Sequence, residues 1–212
     1  MLQSLALRIV VFVLASLSFA CLLGHFYGFW TMRFFGCWVL PPAGVLLAWI
    51  AYAEPGPPRM WIVQGTLGGI VAAVAYDLYR LPFVLTGTPL FKVFPQFGQM
   101  LLGVPGPPFV EAPSGLAYLL GWLYHFSNGA ALGIMFLAMA GRLTRRKAFW
   151  GAVVWALVVE MILLNTPYAG FFGLPLSAWF IFLTASAHLI FGIVMGLWCR
   201  WRVAGREMAA AA

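Results

Sequence analysis

The chain has 212 residues, of which 64% are hydrophobic by the AVILMFWYC count and only 8% are charged. A soluble domain is nearer half apolar and a quarter charged, so this composition excludes a soluble globular domain, a disordered chain and a disulfide scaffold. The net charge of +7 rests on so few charged side chains that it does not indicate a nucleic-acid-binding surface. The composition predicts a polytopic helical membrane protein.

Six hydrophobic runs have the length of about 17–25 residues that crosses a bilayer as a helix. They lie at residues 7–29, 37–53, 60–79, 116–140, 148–165 and 176–199. The breaks between them hold helix-terminating prolines and glycines, as at 54–59 and 166–176, or the basic hairpin 141–147. We therefore predict an all-α bundle of about six transmembrane helices that forms one domain over residues 1–212.

The basic residues predict the orientation of the bundle, because cytoplasmic loops carry an excess of Lys and Arg. With the amino terminus inside, the cytoplasmic side carries Arg8, Arg59, Arg142, Arg145, Arg146, Lys147, Arg200, Arg202 and Arg206. The outer side then carries only Arg33, Arg80 and Lys92. We therefore expect a multi-pass protein of a bacterial inner membrane with both termini in the cytoplasm.

The first span has some features of a secretory signal. Arg8, an apolar run and the small-x-small sequence Ser18-Phe19-Ala20 fit such a signal with its cleavage site. The apolar residues continue to Trp30, which is longer than a signal core. This length favours a retained helix, and cleavage would leave the orientation of the other five spans unchanged.

One long connection, residues 80–115, is expected on the outer side. It is rich in apolar residues, yet its seven prolines prevent one continuous helix. A hydrophobic segment that is unable to span lies at the membrane interface or re-enters the bundle as a cap. We favour the interfacial, lipid-surface arrangement.

Three ionisable side chains are expected near the middle of spans. His125, Glu160 and His188 lie within about 5 Å of the midpoints of the fourth, fifth and sixth spans at 1.5 Å of rise per residue. Asn128, three residues after His125, is on the same face of its helix. Ionisable groups at this depth are costly and mark functional sites. We predict a ligand-binding layer formed by these four residues.

A stripe of small residues accompanies each of these polar groups. The fourth span has Gly121, His125, Gly129 and Gly133 at four-residue spacing, and the sixth repeats this with Thr184, His188, Gly192 and Gly196. In the fifth span, Ala152 and Ala156 precede Glu160. Such stripes let helices approach closely in lipid, so we assign these five glycines to helix packing. The two His-containing spans, and only these, resemble helices in several uncharacterised bacterial membrane families.

Several chemistries suit a layer of two histidines and one glutamate. His125, His188 and Glu160 provide donors for a transition metal, and the two histidines could ligate a haem b axially. The same groups could instead pass protons or hold a transported solute. A purely structural role, with the histidines bonded to carbonyls or to Glu160, is at least as well supported as any one of these functions.

Asp77 and Arg80 form a second group near the outer end of the third span. Residues three apart lie on one helix face, so this pair predicts an ion pair at the outer membrane interface. A structural role is favoured over the gating of a pocket beneath residues 80–115.

The sequence leaves three functions open. The first is a permease-like protein that binds or passes an ion or small solute at the layer of His125, Glu160 and His188. The second is a redox or metal-carrying membrane subunit, and the third is an accessory structural subunit of a larger complex or a homo-oligomer. No Walker, GxSxG, HExxH or dinucleotide-binding motif occurs, which favours a non-enzymatic function with no catalytic residues and no nucleic-acid partner. We favour the permease-like function.

Overall fold

A computed structural model of the protein describes residues 2–140 and 144–203, and every regular element in these ranges is helical. Arg142 and Arg206, which contribute to the predicted orientation, lie outside the described residues. The α-helices are α1 (Leu2–Phe26), α2 (Met32–Trp38), α3 (Leu40–Ala53), α4 (Pro57–Leu85), α5 (Val93–Leu102), α6 (Gly115–Ala140), α7 (Arg145–Leu164), α8 (Tyr168–Phe171) and α9 (Ala178–Trp198). Residues Cys199–Val203 extend α9 as a π-helical turn.

Six helical stretches in the described residues are long and apolar enough to span a membrane: Leu5–Phe26, Met32–Ala53, Pro57–Leu85, Gly115–Ala140, Arg145–Leu164 and Ala178–Val203. The prediction of an all-helical chain with six such stretches is confirmed. Their outward surface carries many large apolar side chains, including Trp49 at 60% exposure and Leu123 at 57%. Lipid rather than water suits such a surface, so the chain has the architecture of a multi-pass membrane protein.

Two boundaries differ by five residues or more from those predicted, and prolines lie near both. The second span starts earlier and consists of α2 and α3, which meet at Val39 because Pro41 and Pro42 fit the first turn of a new helix. The third span continues to Leu85, six residues beyond the predicted end. Pro82 lies in its last turn, where a missing amide donor costs one hydrogen bond without ending the helix.

Helix α4 is at the centre of the bundle. It packs against α6 on one side and α9 on the other, α7 packs on α9, and α1 packs on α6. Arg8 at the start of α1 donates a hydrogen bond of 2.8 Å to the carbonyl of Ala138 near the end of α6. We call this the Arg8 end of the bundle, and the other is the α5 end.

Helix α5 is buried in the protein. Val93, Phe94, Phe97 and Met100 are each at most 4% exposed, and α5 lies along α6. The backbones touch so closely that a Cβ at Gly98 would collide with the carbonyl of Ala117. This is the re-entrant arrangement, and it differs from the lipid-surface helix that the sequence favoured. Gly121 of α6 faces the carbonyl of Phe94 in α5. Because Gly121 has no side chain, α5 packs directly on α6 where lipid was expected.

Small residues bring α4 and α6 into backbone contact. A Cβ at Gly65 would lie 2.6 Å from the Cα of Ile134, and one at Gly69 would collide with the carbonyl of Gly129. A Cβ at Gly133 would in turn meet the carbonyl of Gly65. Without side chains between them, the helices gain dispersion contacts along their backbones, which is how helices associate in lipid.

Helices α7 and α9 meet in the same way. A Cβ added at Gly192 would lie 2.8 Å from Val153 Cα and 3.1 Å from Ala156 Cβ. A Cβ added at Gly196 would lie 2.8 Å from the carbonyl oxygen of Phe149. Of the five glycines assigned to packing, four therefore lie between spanning helices, and Gly121 contacts α5.

We predict that Gly192→Leu lowers the free energy of unfolding by about 1–3 kcal/mol or more, because the new side chain must push α9 away from α7. The matched control is Gly44→Leu in α3, since a Cβ at Gly44 has no neighbour within 4 Å. Thermal unfolding of the purified protein in detergent measures both variants. Equal melting temperatures for the two would contradict the packing described here.

Candidate functional site

A cavity of about 120 Å³ lies inside the bundle, towards the α5 end. It is enclosed by α1, α4, α5, α6, α7 and α9 together with the α8 segment. The polar and charged side chains that line it are Tyr76, Arg80, His125, Asn128, Glu160, Tyr168, Thr184 and His188. The remainder of the lining is aliphatic and aromatic. Ligand sites are typically of this kind, largely apolar with a few convergent polar groups.

Glu160 of α7 and His188 of α9 form one buried pair on this cavity. The imidazole Nδ1 of His188 is 3.0 Å from Glu160 Oε2 and 3.0 Å from the carbonyl oxygen of Thr184. Because a carbonyl only accepts, Nδ1 carries a hydrogen and donates it to Thr184, while Glu160 Oε2 lies beside the same nitrogen. The pair forms where the Gly192 contact holds α9 close to α7.

Asp77 of α4 and His125 of α6 form a second pair. His125 Nε2 lies 2.8 Å from Asp77 Oδ2, and the other carboxylate oxygen of Asp77 lies 3.5 Å from Arg80 Nη1. Asp77 and Arg80 are 8% and 5% exposed, so the predicted ion pair is buried inside the protein. The three-residue spacing predicted that Asp77 and Arg80 share one face of α4. It did not predict that α5 covers this face.

Arg80 is held by α5 and the loop before it. Its Nη2 donates a 2.6 Å hydrogen bond to the carbonyl of Leu90, and its guanidinium lies 5.2 Å and 5.6 Å from the rings of Phe91 and Phe94. Tyr76 provides a third ring at 4.6 Å. Aromatic faces attract a cation, so these contacts offset part of the cost of burying the guanidinium.

The predicted layer of His125, Glu160 and His188 is therefore divided: all three line the cavity, but Glu160 pairs with His188 and His125 pairs with Asp77. The ring of Tyr76 packs against both imidazoles, with centroids 6.2 Å from His125 and 5.0 Å from His188. Within residues 2–140 and 144–203, no three His, Cys, Asp or Glu side chains are grouped as a metal site requires. The geometry thus gives no support to a metal held by these three residues.

Asn128 also lines the cavity, where it joins α6 to α1. Its Oδ1 accepts a 2.6 Å hydrogen bond from Ser18 Oγ, and the hydroxyl of nearby Tyr124 donates to the carbonyl of Ser18. Asn128 contacts neither histidine pair through a hydrogen bond. Its place on the cavity agrees with the helix face on which the sequence puts it.

Sequence reasoning missed the pairing of Asp77 with His125 and did not assign Tyr76 to the site. Asp77 was assigned to an interfacial pair although Gly65, Gly69 and Ala73 precede it at four-residue spacing, as small residues precede Glu160 in α7. That repeat was a usable signal for a second acid facing a histidine. Tyr76, which is one residue before Asp77, carries no comparable signal in the sequence.

Several buried polar atoms at the site have no hydrogen-bond partner in the described part of the chain. They are Glu160 Oε1, Asp77 Oδ1 and Arg80 Nε. A buried polar atom without a partner costs about 1–3 kcal/mol, and more when it is charged. Glu160 is 5% exposed and is one of the residues that line the cavity.

No protein-family model matches the chain, and no match is found among curated proteins or solved structures. The function must therefore be inferred from the geometry. One carboxylate, two imidazoles and a guanidinium in the lining of a small cavity, with Asp77 bonded to His125, can hold or exchange protons and can hydrogen-bond a polar solute.

We predict that the interaction energy measured by a double-mutant cycle is large within the Glu160–His188 pair. It should be smaller between a residue of this pair and a residue of the Asp77–His125 pair. Glu160→Gln and His188→Leu should interact by about 0.5–3 kcal/mol in a double-mutant cycle, since either change alone leaves the partner unpaired. The cycle of Glu160→Gln with His125→Leu should give a smaller interaction energy. Unfolding free energies from titration with sodium dodecyl sulfate in mixed micelles measure both cycles. A larger coupling between His125 and Glu160 than between His188 and Glu160 would contradict this pairing.

Proposed function

We propose that the protein is permease-like and binds a small solute in the cavity between α4, α6, α7 and α9. The observation that carries this proposal is Glu160, a buried carboxylate with one unpartnered oxygen, in the lining of a largely apolar cavity. Folding alone gains nothing from a buried, half-bonded carboxylate, whereas a solute that donates to it recovers the lost hydrogen bond.

The alternative of a haem or metal subunit has less support. The cavity of about 120 Å³ is far smaller than a haem, and within residues 2–140 and 144–203 no three His, Cys, Asp or Glu side chains lie close enough together to hold a metal ion.

We further propose that the Arg8 end faces the cytoplasm and that the α5 end faces outward. Among the described basic residues, Arg8, Arg59, Arg145, Arg146, Lys147, Arg200 and Arg202 lie near helix termini at the Arg8 end. Arg33, Arg80 and Lys92 lie towards the α5 end. The Arg8 end therefore has more Lys and Arg than the α5 end. Because cytoplasmic segments carry an excess of these residues, this distribution supports a cytoplasmic position for the Arg8 end. In this orientation the cavity lies nearer the outer face.

Topology can be tested with single cysteines at Thr144 and Gly170, in a background with Cys21→Ala, Cys37→Ser and Cys199→Ala. Both sites are exposed, and a Cβ at Gly170 has no neighbour within 4 Å. An impermeant thiol reagent added to intact cells should label the cysteine at 170 and leave the one at 144 unlabelled. The reverse pattern would refute the proposed orientation.

Solute binding requires that water-borne molecules reach the cavity. In the same background we predict that Thr184→Cys, on the cavity wall, reacts with a small charged methanethiosulfonate reagent. Ala148→Cys is the control, because Ala148 is fully buried in α7 and does not line the cavity. Thr184→Cys should react at least about tenfold faster, since a thiol in the packed core reacts only after local opening. Equal, slow reaction at both sites would overturn the proposed function.

A further inference from the structure

Two of the residues that line the cavity lie outside the helices. They are Leu90, in the loop of residues 86–92 between α4 and α5, and Leu174, in the loop between α8 and α9. The other lining residues belong to helices, and α4 with α6 and α7 with α9 are held together by direct backbone contact. Loops rearrange at a lower free-energy cost than packed helices, so the cavity opens most readily where these two loops close it.

Leu90 closes the cavity as an apolar plug. It is the only buried residue of loop 86–92, at 2% exposure, whereas Lys92 in the same loop is exposed. Leu90 packs in one hydrophobic cluster with Phe180 of α9, and Leu174 packs against that cluster. All three side chains line the cavity, and their elements place them at its α5 end. We call these three residues the Leu90 plug.

Arg80 ties this loop to α4. Its Nη2 donates the 2.6 Å hydrogen bond to the carbonyl of Leu90, and its guanidinium lies over the rings of Phe91 and Phe94. Among the described residues, no other side chain from outside the loop hydrogen-bonds to residues 86–92. The attachment of the loop to the bundle therefore depends on this bond and on the burial of two apolar side chains, Leu90 and, in part, Phe91.

The same arginine is part of the site. Arg80 lines the cavity, and its Nη1 lies 3.5 Å from Asp77 Oδ1. Asp77 is itself held by His125, whose Nε2 lies 2.8 Å from Asp77 Oδ2. The guanidinium is thus fixed from the helix side and presents Nη2 to the loop. Contacts run without a break from His125 on the cavity to the carbonyl of Leu90.

We propose that loop 86–92 is a gate over the cavity and that Arg80 is the positioning residue that keeps this gate closed. The gate opens when the carbonyl of Leu90 leaves Arg80 and the Leu90 side chain leaves the plug. In the proposed orientation the gate faces outward, opposite the Arg8 end. The inference rests on the proposed function and names how access to its site is regulated. The spacing of Asp77 and Arg80 favoured a structural pair, and the bond to the loop adds the gating role.

The test measures how fast a thiol inside the purified full-length protein reacts with a small charged methanethiosulfonate reagent in detergent. In the background without native cysteines, Thr184→Cys reports on the cavity and Ala148→Cys reports on general loosening of the fold. Leu90→Ala should raise the rate of the Thr184→Cys thiol at least about tenfold, because a truncated plug increases the fraction of molecules in which the gate is open. The rate of the Ala148→Cys thiol should stay unchanged.

The matched control for Leu90→Ala is Leu85→Ala, which removes the same atoms from a side chain that is 78% exposed at the end of α4. It should leave the rates of both thiols unchanged. If Leu90→Ala does not fold, Leu174→Ala takes its place, since it truncates the opposite side of the plug. The expected result for Leu174→Ala is the same.

Arg80→Lys tests the role of the guanidinium while keeping a positive charge beside Asp77. The planar guanidinium directs separate N–H groups at Asp77 and at the Leu90 carbonyl, whereas an ammonium group is a single point charge on a flexible stem. Arg80→Lys should therefore raise the rate of the Thr184→Cys thiol at least about threefold. The rate of the Ala148→Cys thiol should again stay unchanged, which a merely structural role for Arg80 would not predict.

The failures are distinguishable. If the Thr184→Cys thiol reacts faster than the Ala148→Cys thiol but neither plug variant accelerates it, the gate is overturned and solute binding stands. A rise at both thiols by the same factor would also overturn the gate, since it shows loosening of the whole fold. An unchanged rate in Arg80→Lys would overturn the positioning role of Arg80. If the Thr184→Cys thiol is as slow as the Ala148→Cys thiol in every variant, the proposed function fails as well.

Discussion

Close backbone contact between helices at small residues determines the rest of this structure. In α4 and α7, an acid follows three small residues at four-residue spacing, and in α6 and α9 a histidine precedes two glycines at the same spacing. Where the stripes meet, as at Gly69 with Gly129, no side chain separates the helices. The acid of one helix and the histidine of its antiparallel partner then come within hydrogen-bond distance. Packing in lipid thus sets the geometry of both carboxylate–imidazole pairs.

The two helical hairpins, α4 with α6 and α7 with α9, therefore have the same design, and they differ in what connects their helices. The first hairpin contains α5, which is buried against α6 and supplies Phe94, whose ring centroid lies 4.3 Å from that of His125. The second contains the short α8 segment, which supplies Tyr168. Both connections close the cavity at one end of the bundle. A site of this kind confines polar groups to a small, largely apolar volume, which strengthens their electrostatic interactions.

Much of the fold was predictable because it follows from hydrophobic length and proline positions. The sequence predicted the six spans and the face of α6 that carries His125, Gly129 and Gly133. Partner choice was not predictable, since spacing specifies a helix face and leaves open which helix covers it. Asp77 therefore looked interfacial, although α5 buries it, and His125 was expected to join Glu160. The burial of α5 depends on the contact of Gly98 with α6, which is a tertiary feature without a signature in its own apolar sequence.

The most direct test of the central claim is a measurement of nitrogen–carbon distances in the protein reconstituted into lipid bilayers. Solid-state NMR with labelled histidine side chains and labelled Asp and Glu carboxyl carbons reports which imidazole lies beside which carboxylate, with assignments from His125→Leu and His188→Leu. The account predicts two separate contacts, His188 Nδ1 with Glu160 and His125 Nε2 with Asp77, consistent with nitrogen–oxygen distances of 3.0 Å and 2.8 Å. A contact between His125 and Glu160, or the absence of any histidine–carboxyl contact, would contradict it.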